Sequence, residues 1–393
     1  MHLIFLIHGL FGNPDNMKSM ADSLNHALDG DDVIIHRANC MSAIGTFDGI
    51  VLNAERLKGE LLEQLRKTNA DCLSIIGYSM GGLCGRYLVG ILEDLGVFKR
   101  VQPKIFATFA TPHLGTNFPE RSAFSRVFDL VGSRIVGLSG RDLFCKNDLL
   151  TELADPRLRY YRGLQRFPNL LLFANAVSDR TVPFWTAYIT PVDPFRHRAH
   201  VNLVTHSNNY FVNISQSTWH ESKVYYPQHS WKQKLSKGLL FGIFFPMALC
   251  ILIIVMSAVT VIACVNRHWI MSKKRSSVGD ELMGELSEAV DETLELTSSQ
   301  ETVTIRSPVP NKSCISFGSL SPGLSGVIKS CPIKLDLSPQ TQINLANLNQ
   351  LPWVKFAVVL PSLNSHAVIV DRRQKSPAGK SVLNAFSEVI ASL

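Results

Sequence analysis

The eight cysteines of this 393-residue sequence include no C-x-x-C pair. Zinc sites and dense disulfide frameworks need closely spaced cysteines, so the sequence predicts reduced thiols, a cytosolic face and no metal site. We also expect no secretory signal here, because residues 1–7 run directly into a His-Gly turn instead of showing a basic region, an apolar stretch and a cleavage site. We expect residues 3–7 to form a strand instead.

Charged residues are scarce, at 18% of the chain, and hydrophobic residues make up 46%. This composition excludes a wholly disordered or collagen-like protein and leaves enough apolar side chains for a buried core. The net charge of +7 suits an anionic membrane surface as well as nucleic acid, and its sign alone does not decide between them.

No charged side chain occurs in residues 238–266, a run of 29 residues. As a straight helix this run would measure about 44 Å, against roughly 30 Å for the hydrocarbon core of a bilayer. We therefore predict a membrane-associated segment with basic flanks at 231–275. Residues 276–301 contain no Lys or Arg, and 307–350 are rich in Ser, Pro and Asn, so we predict a largely disordered linker at 276–350.

The remaining sequence alternates short apolar runs with helical periodicity, which predicts βαβ units and a mainly parallel sheet. The predicted strands cover residues 3–7, 33–36, 72–76, 104–109, 170–176 and 353–360. Leu57, Leu61 and Leu65 repeat with the spacing of one helix face, and a second helix is predicted from Ser79 to about Leu95.

Since strand-like sequence returns after the linker, the simplest interpretation is one α/β domain interrupted by an insertion. Residues 1–230 would form its first part, with a cap at 120–150. Residues 351–393 would form its last strand and its last helix.

The sequence G-Y-S-M-G-G occupies residues 77–82, directly after an apolar strand and at the start of a helix. This context is typical of a nucleophile elbow, in which a sharp turn exposes the hydroxyl group of a serine. Glycines are needed because a Cβ atom would obstruct the turn and the close approach of neighbouring backbone. Ser79 is therefore the candidate nucleophile, and the alternative is a Gly-rich turn with an incidental serine.

Acyl transfer also needs N–H donors for the oxyanion that develops on the substrate. One donor is the N–H of the residue after the nucleophile, which is Met80 here. The second is expected after the first strand, where the glycines of residues 8–13 could direct the N–H of Leu10 into the site. The alternative is a tight turn that His8 merely caps.

A serine hydroxyl needs a histidine base, and the histidine needs a carboxylate that holds its tautomer. Asp179 follows the fifth predicted strand, at the end where parallel sheets bind ligands, and is the candidate acid, with Asp193 in reserve. His366 follows the last predicted strand and is the candidate base. His206 and His220 remain rivals, because either would complete a triad before the membrane-associated segment.

Taken together, these motifs resemble the fungal serine esterases of the α/β-hydrolase superfamily (DUF676 type), which include a phospholipase of yeast lipid droplets. The residues that carry the resemblance are His8-Gly9-Leu10 with Gly12-Asn13, residues 77–83 with Arg86-Tyr87, residues 109–115, residues 139–144, Asn175-Ala176 with Asp179, residues 182–184, and His366 with Arg372 and Arg373. The resemblance implies an α/β-hydrolase fold, a catalytic triad of Ser79, Asp179 and His366, and acyl esters of lipids as substrates.

A single membrane crossing by residues 238–266 would place Ser79 and His366 on opposite sides of the bilayer. No triad permits that, so we predict that the segment returns as a re-entrant or hairpin anchor, with a bend near Pro246. Basic residues flank both ends, and the positive-inside tendency would keep both on the cytosolic face. We expect attachment to the cytosolic face of the endoplasmic reticulum, of a lipid droplet, or of both.

The leading hypothesis is a membrane-associated serine hydrolase of the phospholipase or lipase type, which forms an acyl-enzyme on Ser79 and needs no cofactor. A catalytically silent hydrolase fold that serves as a membrane interaction module, and a lipid acyltransferase with the same nucleophile, are the alternatives. The expected partners are a lipid acyl ester and a membrane or lipid-droplet surface, not nucleic acid. Four arginines, at positions 157, 159, 162 and 166, could meet lipid phosphates or form a solvated helix face.

Overall fold

The computed structural model describes residues 1–28, 32–116, 133–134, 136–206, 210–220 and 326–393, together with the single positions 257 and 261. The predicted anchor at 238–266 therefore lies almost entirely outside the described residues, as does the predicted linker up to residue 325. Within the described part of the chain, no helix is both long enough and apolar enough to cross a bilayer.

Six of the eight strands in the described residues form one parallel sheet, which confirms the predicted α/β class. The strands are β1 (His2–Ile7), β2 (Val33–Arg37), β3 (Cys72–Tyr78), β4 (Gln102–Phe109), β5 (Asn169–Asn175), β6 (Val201–Asn202), β7 (Thr218–Trp219) and β8 (Trp353–Val358). The order in the large sheet is β2-β1-β3-β4-β5-β8, and every neighbouring pair is parallel. The two-residue strands β6 and β7 form a separate antiparallel pair.

Helices connect these strands and cover both faces of the sheet. They are α1 (Lys18–Ala27), α2 (Ile50–Thr68), α3 (Met80–Asp94), α4 (Gly137–Leu143), α5 (Leu149–Ala154), α6 (Arg159–Gln165), α7 (Phe184–Ala187), α8 (Gly326–Ser330), α9 (Pro339–Leu348), α10 (Ser365–Val368) and α11 (Pro377–Ala391). Gly96 follows the end of α3 with φ 67°, a left-handed conformation that glycine adopts without strain.

The period of two along the strands divides the core into two layers. Leu3 and Phe5 of β1 point to one face, where α2 and α3 pack, whereas Ile4 and Leu6 point to the other face, where α1 and α11 pack. All four side chains are completely buried. Burial on both faces explains why the strands read as continuous apolar runs rather than as alternating patterns.

An aromatic row joins β8 to the rest of the sheet. The ring of Phe173 in β5 stacks between Phe109 of β4, at 4.4 Å, and Phe356 of β8, at 4.5 Å. Phe386 of α11 meets the first two rings edge-on. Each buried phenylalanine contributes about 1.5–3 kcal/mol relative to an exposed one. The strand that follows residues 231–325 is thus an integral part of the sheet core.

The predicted linker at 276–350 needs a correction over its last 25 positions, because residues 326–350 contain α8 and α9. Ser338 caps α9 by accepting a hydrogen bond from the N–H of Thr341 at 3.2 Å, and Pro339 occupies the first turn of the helix. Leu348 at the end of α9 is completely buried. Serine and proline are common in linkers, but at a helix N-terminus they also satisfy and preset the first turn.

Part of the predicted cap at 120–150 is described, and it is bound to the start of α2. The hydroxyl of Ser139 in α4 donates to the carbonyl of Thr46 at 2.6 Å. The N–H of Ile50 donates to the carboxylate of Asp142 at 2.7 Å. Residues 120–132 and 135 of the predicted cap lie outside the described residues.

Candidate active site

Ser79 lies at the turn between β3 and α3, with φ 55° and ψ −129°. A positive φ is strained for a residue that carries a side chain, and it is required here because the strand turns sharply into the helix. The N–H of Ser79 donates to the carbonyl of Phe109 at 2.8 Å, and the hydroxyl of Thr111 donates to the carbonyl of Ser79 at 2.9 Å. These bonds hold the serine at the carboxyl edge of the sheet.

The glycines of this turn are needed because each one touches neighbouring structure. A Cβ atom on Gly77 would collide with the backbone of Gly82, and one on Gly81 would collide with the carbonyl of His8. A Cβ atom on Gly82 would collide with the side chain of Thr111. The strand, the turn and the helix can therefore approach this closely only with glycine at all three positions.

The structure brings the three predicted residues together from distant parts of the chain. The Oγ atom of Ser79 lies 3.0 Å from Nε2 of His366, and Nδ1 of His366 lies 2.9 Å from Oδ2 of Asp179. Since a carboxylate only accepts hydrogen bonds, Nδ1 carries the proton that it donates to Asp179, and Nε2 of the neutral ring is left to accept from Ser79. This is the order of contacts that general-base activation of a serine requires.

Asp179 is held by four hydrogen bonds. Its Oδ1 atom accepts from the N–H groups of Thr181, at 2.9 Å, and Val182, at 2.8 Å, while Oδ2 accepts from Nδ2 of Asn175, at 2.8 Å, in addition to His366. Burial by itself raises the pKa of this carboxyl, but the His366 charge and the hydrogen bonds outweigh burial and leave the pKa below its usual value. The group is therefore ionised at neutral pH.

The loop that carries His366 is fastened to the other two loops of the site. The hydroxyl of Ser365 donates to the carbonyl of Val177 at 2.8 Å, next to the acid. The hydroxyl of Tyr78, the residue before the nucleophile, donates to the carbonyl of His366 at 2.9 Å. Burial raises the pKa of Tyr78, so its phenol stays protonated and remains a donor.

Residues 8–12 pass directly beside the nucleophile. A Cβ atom on Gly9 would lie 2.7 Å from Cβ of Ser79 and 3.2 Å from its Oγ atom, so the neighbouring Leu10 also lies near the site. Met80 is the first residue of α3, and the N–H of a first helical residue has no partner within its helix. His8 is completely buried, and burial lowers its pKa, which favours the neutral ring.

The rival candidates lie elsewhere. His206 donates its N–H to the carbonyl of Phe211, and His220 donates its N–H to the carbonyl of His200, each at 2.9 Å. Within the described residues, neither side chain shares a hydrogen bond with Ser79 or Asp179. Asp193, the reserve acid, accepts from the N–H of Arg196 at 3.3 Å, and burial raises its pKa to about 6.

Two cavities flank the loops of Asp179 and His366. One, of about 350 Å³, is lined by Asp179 and Asp193. The other, of about 600 Å³, has an apolar wall formed by Val177, Val359 and Leu360. Partly apolar space therefore exists beside the loops that carry the acid and the base.

The arginine run around residue 160 is largely engaged with carboxylates. The ion pairs are Arg157 with Asp155, Arg159 with Asp94, and Arg166 with Glu93, each with a shortest distance of 2.7 Å. The structure thus favours the solvated helix face over the lipid-phosphate interpretation of this run.

Three residues that support the site, Asn175, Tyr78 and Ser365, were not assigned a role from the sequence. Asn175 stands out in the sequence only as part of the family resemblance. The fold brings each of the three to its partner, and no sequence motif indicates these contacts. For Asn175 alone there is a signal, because a polar residue at the carboxyl end of a parallel strand often lies at a site.

The family comparison covers the part of the chain that carries Ser79 and Asp179 but not His366. Residues 1–190 match the model of the family described as "Putative serine esterase (DUF676)". The "Putative lipase ROG1" of Saccharomyces cerevisiae is 27% identical over 203 residues, which cover 49% of this chain and 29% of that protein. The "Putative lipase C4A8.10" of Schizosaccharomyces pombe is 26% identical over 204 residues, which cover 47% of this chain and 26% of that protein. The aligned region of this chain spans less than a third of the length of either relative.

Solved structures with similar regions include the lipase BlEst2 of Bacillus licheniformis, with 17% identity, a TM-score of 0.32, and coverage of 44% of this chain and 65% of that chain. The "putative cell surface hydrolase from Lactobacillus plantarum WCFS1" has 15% identity and a TM-score of 0.30, and the match covers 48% of this chain and 74% of that chain. The fold assignment itself follows from the strand order and the elbow described above. Residues 1–190, just under half of this chain, are thus similar to the DUF676 serine esterase family, and the parallel sheet with its elbow has the α/β-hydrolase fold.

Proposed function

We propose that this protein hydrolyses acyl ester bonds of lipids with Ser79 as nucleophile, His366 as general base and Asp179 as the supporting acid. The observation that carries the proposal is the continuous chain of contacts, 3.0 Å from Ser79 to His366 and 2.9 Å from His366 to Asp179. The strained conformation of Ser79 supports it, because such strain commonly occurs at functional sites.

In the proposed reaction, Oγ of Ser79 attacks the ester carbonyl while Nε2 of His366 takes its proton. Asp179 stabilises the imidazolium that forms. The N–H groups of Met80 and Leu10 stabilise the oxyanion of the tetrahedral intermediate. His366 then returns the proton to the departing alcohol, which leaves an acyl-serine. Water, deprotonated by His366, attacks the acyl-serine, so that the fatty acid is released and Ser79 regains its proton.

A lipid substrate is supported by two observations. The relatives from both yeasts are named as lipases. The apolar wall of the larger cavity, formed by Val177, Val359 and Leu360, offers a surface for an acyl chain beside the loop of His366. The proposed activity is of the phospholipase or lipase type, and the lipid that is cleaved is identified by the measurement below.

We further propose that residues 231–275 attach the protein to the cytosolic face of the endoplasmic reticulum or of a lipid droplet. The pairing of β8 with β5 supports a segment that returns, because sequence on both sides of it contributes to one sheet. The basic residues at both ends of the segment support the cytosolic face.

A fluorophosphonate probe tests the nucleophile directly. The full-length protein in membranes should be labelled, and the Ser79→Ala variant should not. On a soluble short-chain ester, His366→Ala should lower turnover at least about 10³-fold, as loss of a triad base does, whereas the matched His206→Ala change should leave turnover nearly unaltered. Absence of labelling in the native protein would favour the silent interaction module.

The substrate class needs a separate measurement. The purified protein should release free fatty acid from phospholipid vesicles, and mass spectrometry of the products identifies the lipid that is cleaved. Transfer of the acyl group to a second lipid, without release of fatty acid, would show that water is not the acceptor.

A further inference from the structure

Two large apolar side chains face solvent beside the candidate active site. Phe11 is 58% exposed and Leu363 is 79% exposed. Phe11 lies two positions after Gly9, which touches Ser79, and Leu363 lies three positions before His366. We call residues 9–13, 177–181 and 361–375 the rim, because these loops border the catalytic residues.

The backbone holds Phe11 in its exposed position. Its φ is 52°, a conformation that costs energy for a bulky residue. The N–H of Phe11 donates to the hydroxyl of Thr46 at 2.8 Å, and its carbonyl accepts from Nη2 of Arg372 at 3.3 Å. Its ring stacks on Phe47 at 5.9 Å, and Phe47 is almost completely buried. The hydrogen bonds and the ring contact thus hold the ring of Phe11 in its exposed position.

The charge of the rim has one sign at its surface. Its exposed or partly exposed charged side chains are Arg180, Arg372, Arg373 and Lys375. Its two carboxylates are buried and bonded inward: Asp179 to the catalytic histidine, and Asp371 to the hydroxyl of Ser19 at 3.0 Å. Among the described residues, no carboxylate forms an ion pair with any of the four cations. The arginines near residue 160, in contrast, are mostly paired.

We propose that the rim docks on an anionic phospholipid surface, with Phe11 and Leu363 inserted at the boundary between headgroups and acyl chains. Exposed apolar side chains bordered by unpaired cations are complementary to such an interface. Docking in this orientation places the mouth of the site against the lipids. Docking of the rim on lipid does not depend on the proposed function. Only its consequence, the delivery of lipid esters to Ser79, rests on that function.

The depth of the rim can be measured in the full-length protein reconstituted into vesicles. Leu363→Trp adds a fluorophore at the rim, and Ile343→Trp adds one at an exposed position on α9, which precedes β8 at the amino edge of the sheet. Acyl chains brominated near the headgroup should quench the added fluorescence at least about twofold more strongly in Leu363→Trp than in Ile343→Trp. Both variants contain the same residues 231–275, so the anchor affects them equally.

A second experiment tests the apolar and the cationic side chains of the rim separately. In Leu363→Ser and in Arg180→Glu, the ratio of turnover on vesicles that contain phosphatidylserine to turnover on a soluble short-chain ester should fall about tenfold. Ile343→Ser should leave this ratio unchanged. For Arg180→Glu, the loss should be smaller on vesicles of phosphatidylcholine alone.

Equal quenching at the two positions, or an unaltered ratio in both rim variants, would refute lipid docking. Docking would also be refuted if the rim tryptophan were unquenched in vesicles and shielded only by a protein added in solution. Strong quenching without any ester hydrolysis would uphold the docking surface and defeat the proposed function.

Discussion

Asn175 shows how one side chain determines the state of the acid. Its amide is buried at the end of β5 and donates to the same carboxylate oxygen of Asp179 that His366 contacts, at 2.8 and 2.9 Å. A donor at this place favours the charged form of the carboxyl and fixes its orientation. Under the proposed mechanism, Asn175 is thus a positioning residue, which acts on the base only through the acid.

Replacement of the donor should be visible in a pH profile. Asn175→Leu removes the hydrogen bond, so the pKa of Asp179 should rise. The loss of kcat on acidification should therefore begin at a higher pH than in the unchanged protein. We expect kcat on a soluble ester to fall about tenfold at neutral pH, since a hydrogen bond to a charged group is worth about 1.5–3 kcal/mol.

The matched control for this change lies on the same strand. Asn169→Leu, at the amino end of β5, removes a bond to the carbonyl of Lys104 at 3.1 Å and should leave the pH profile of kcat in place. A merely structural role for Asn175 would lower the amount of folded enzyme and leave the acid limb where it was.

Sequence reasoning reaches some of these residues and not others. Ser79 is marked by the residues adjacent to it, and Asp179 and His366 by their places after strands. Tyr78 and Ser365, in contrast, act on partners 288 and 188 positions away, and nothing local in the sequence indicates such contacts. A resemblance or a structure is needed to find them.

At the scale of elements, the elbow depends on the close approach of α3 to the strands. Gly82 lies in the first turn of α3 against Thr111, whose hydroxyl supports the carbonyl of Ser79. The constraint is steric and local, because the same helix carries large side chains at the next position, Leu83, and five positions on, at Tyr87.

Gly82→Ala should therefore abolish esterase turnover and destabilise the protein by about 1–3 kcal/mol, the usual cost of overpacking. The control is Gly59→Ala in α2, where an added Cβ atom would touch nothing within 4 Å. That change should stabilise the protein by about 0.5–1 kcal/mol and leave turnover intact. Thermal unfolding and turnover on a soluble ester measure both effects, and equal behaviour of the two variants would contradict the steric argument.

Sequence patterns predict the strands correctly because these are marked by apolar runs. They miss two helices that lie in polar sequence. All six strands of the large sheet are recognisable because burial on both faces demands continuous apolar runs. Helices α8 and α9 are missed because residues 307–350 are rich in Ser, Pro and Asn, although Ser338 and Pro339 cap and preset α9. Polar composition alone does not separate a helix start from a disordered segment.

At the scale of the whole molecule, β8 and α11 are part of the same core as the first 200 residues. Trp353 and Phe386 are almost completely buried, and β8 pairs with β5 over six residues. The bonds that hold this part in place are non-covalent, so continuity of the chain between residues 220 and 326 is not needed once the protein has folded.

Cleavage at a protease site inserted at residue 300 should therefore leave the two fragments associated. They should elute together in detergent and retain most of the turnover of the uncut protein on a soluble ester. The same cut made in denaturant, followed by separation, should yield fragments without activity. Dissociation of the fragments under native conditions would contradict the single shared core.

The place of β8 in the sheet also has a consequence for synthesis. The ribosome completes the nucleophile and the acid long before it reaches the histidine, and the intervening stretch that we expect to enter lipid is translated first. Under the proposed mechanism, a nascent chain would thus be unable to attack esters until residue 366 has been added. A transcript that stops early would encode a protein with an open edge at β5, which is prone to aggregation rather than to uncontrolled lipolysis.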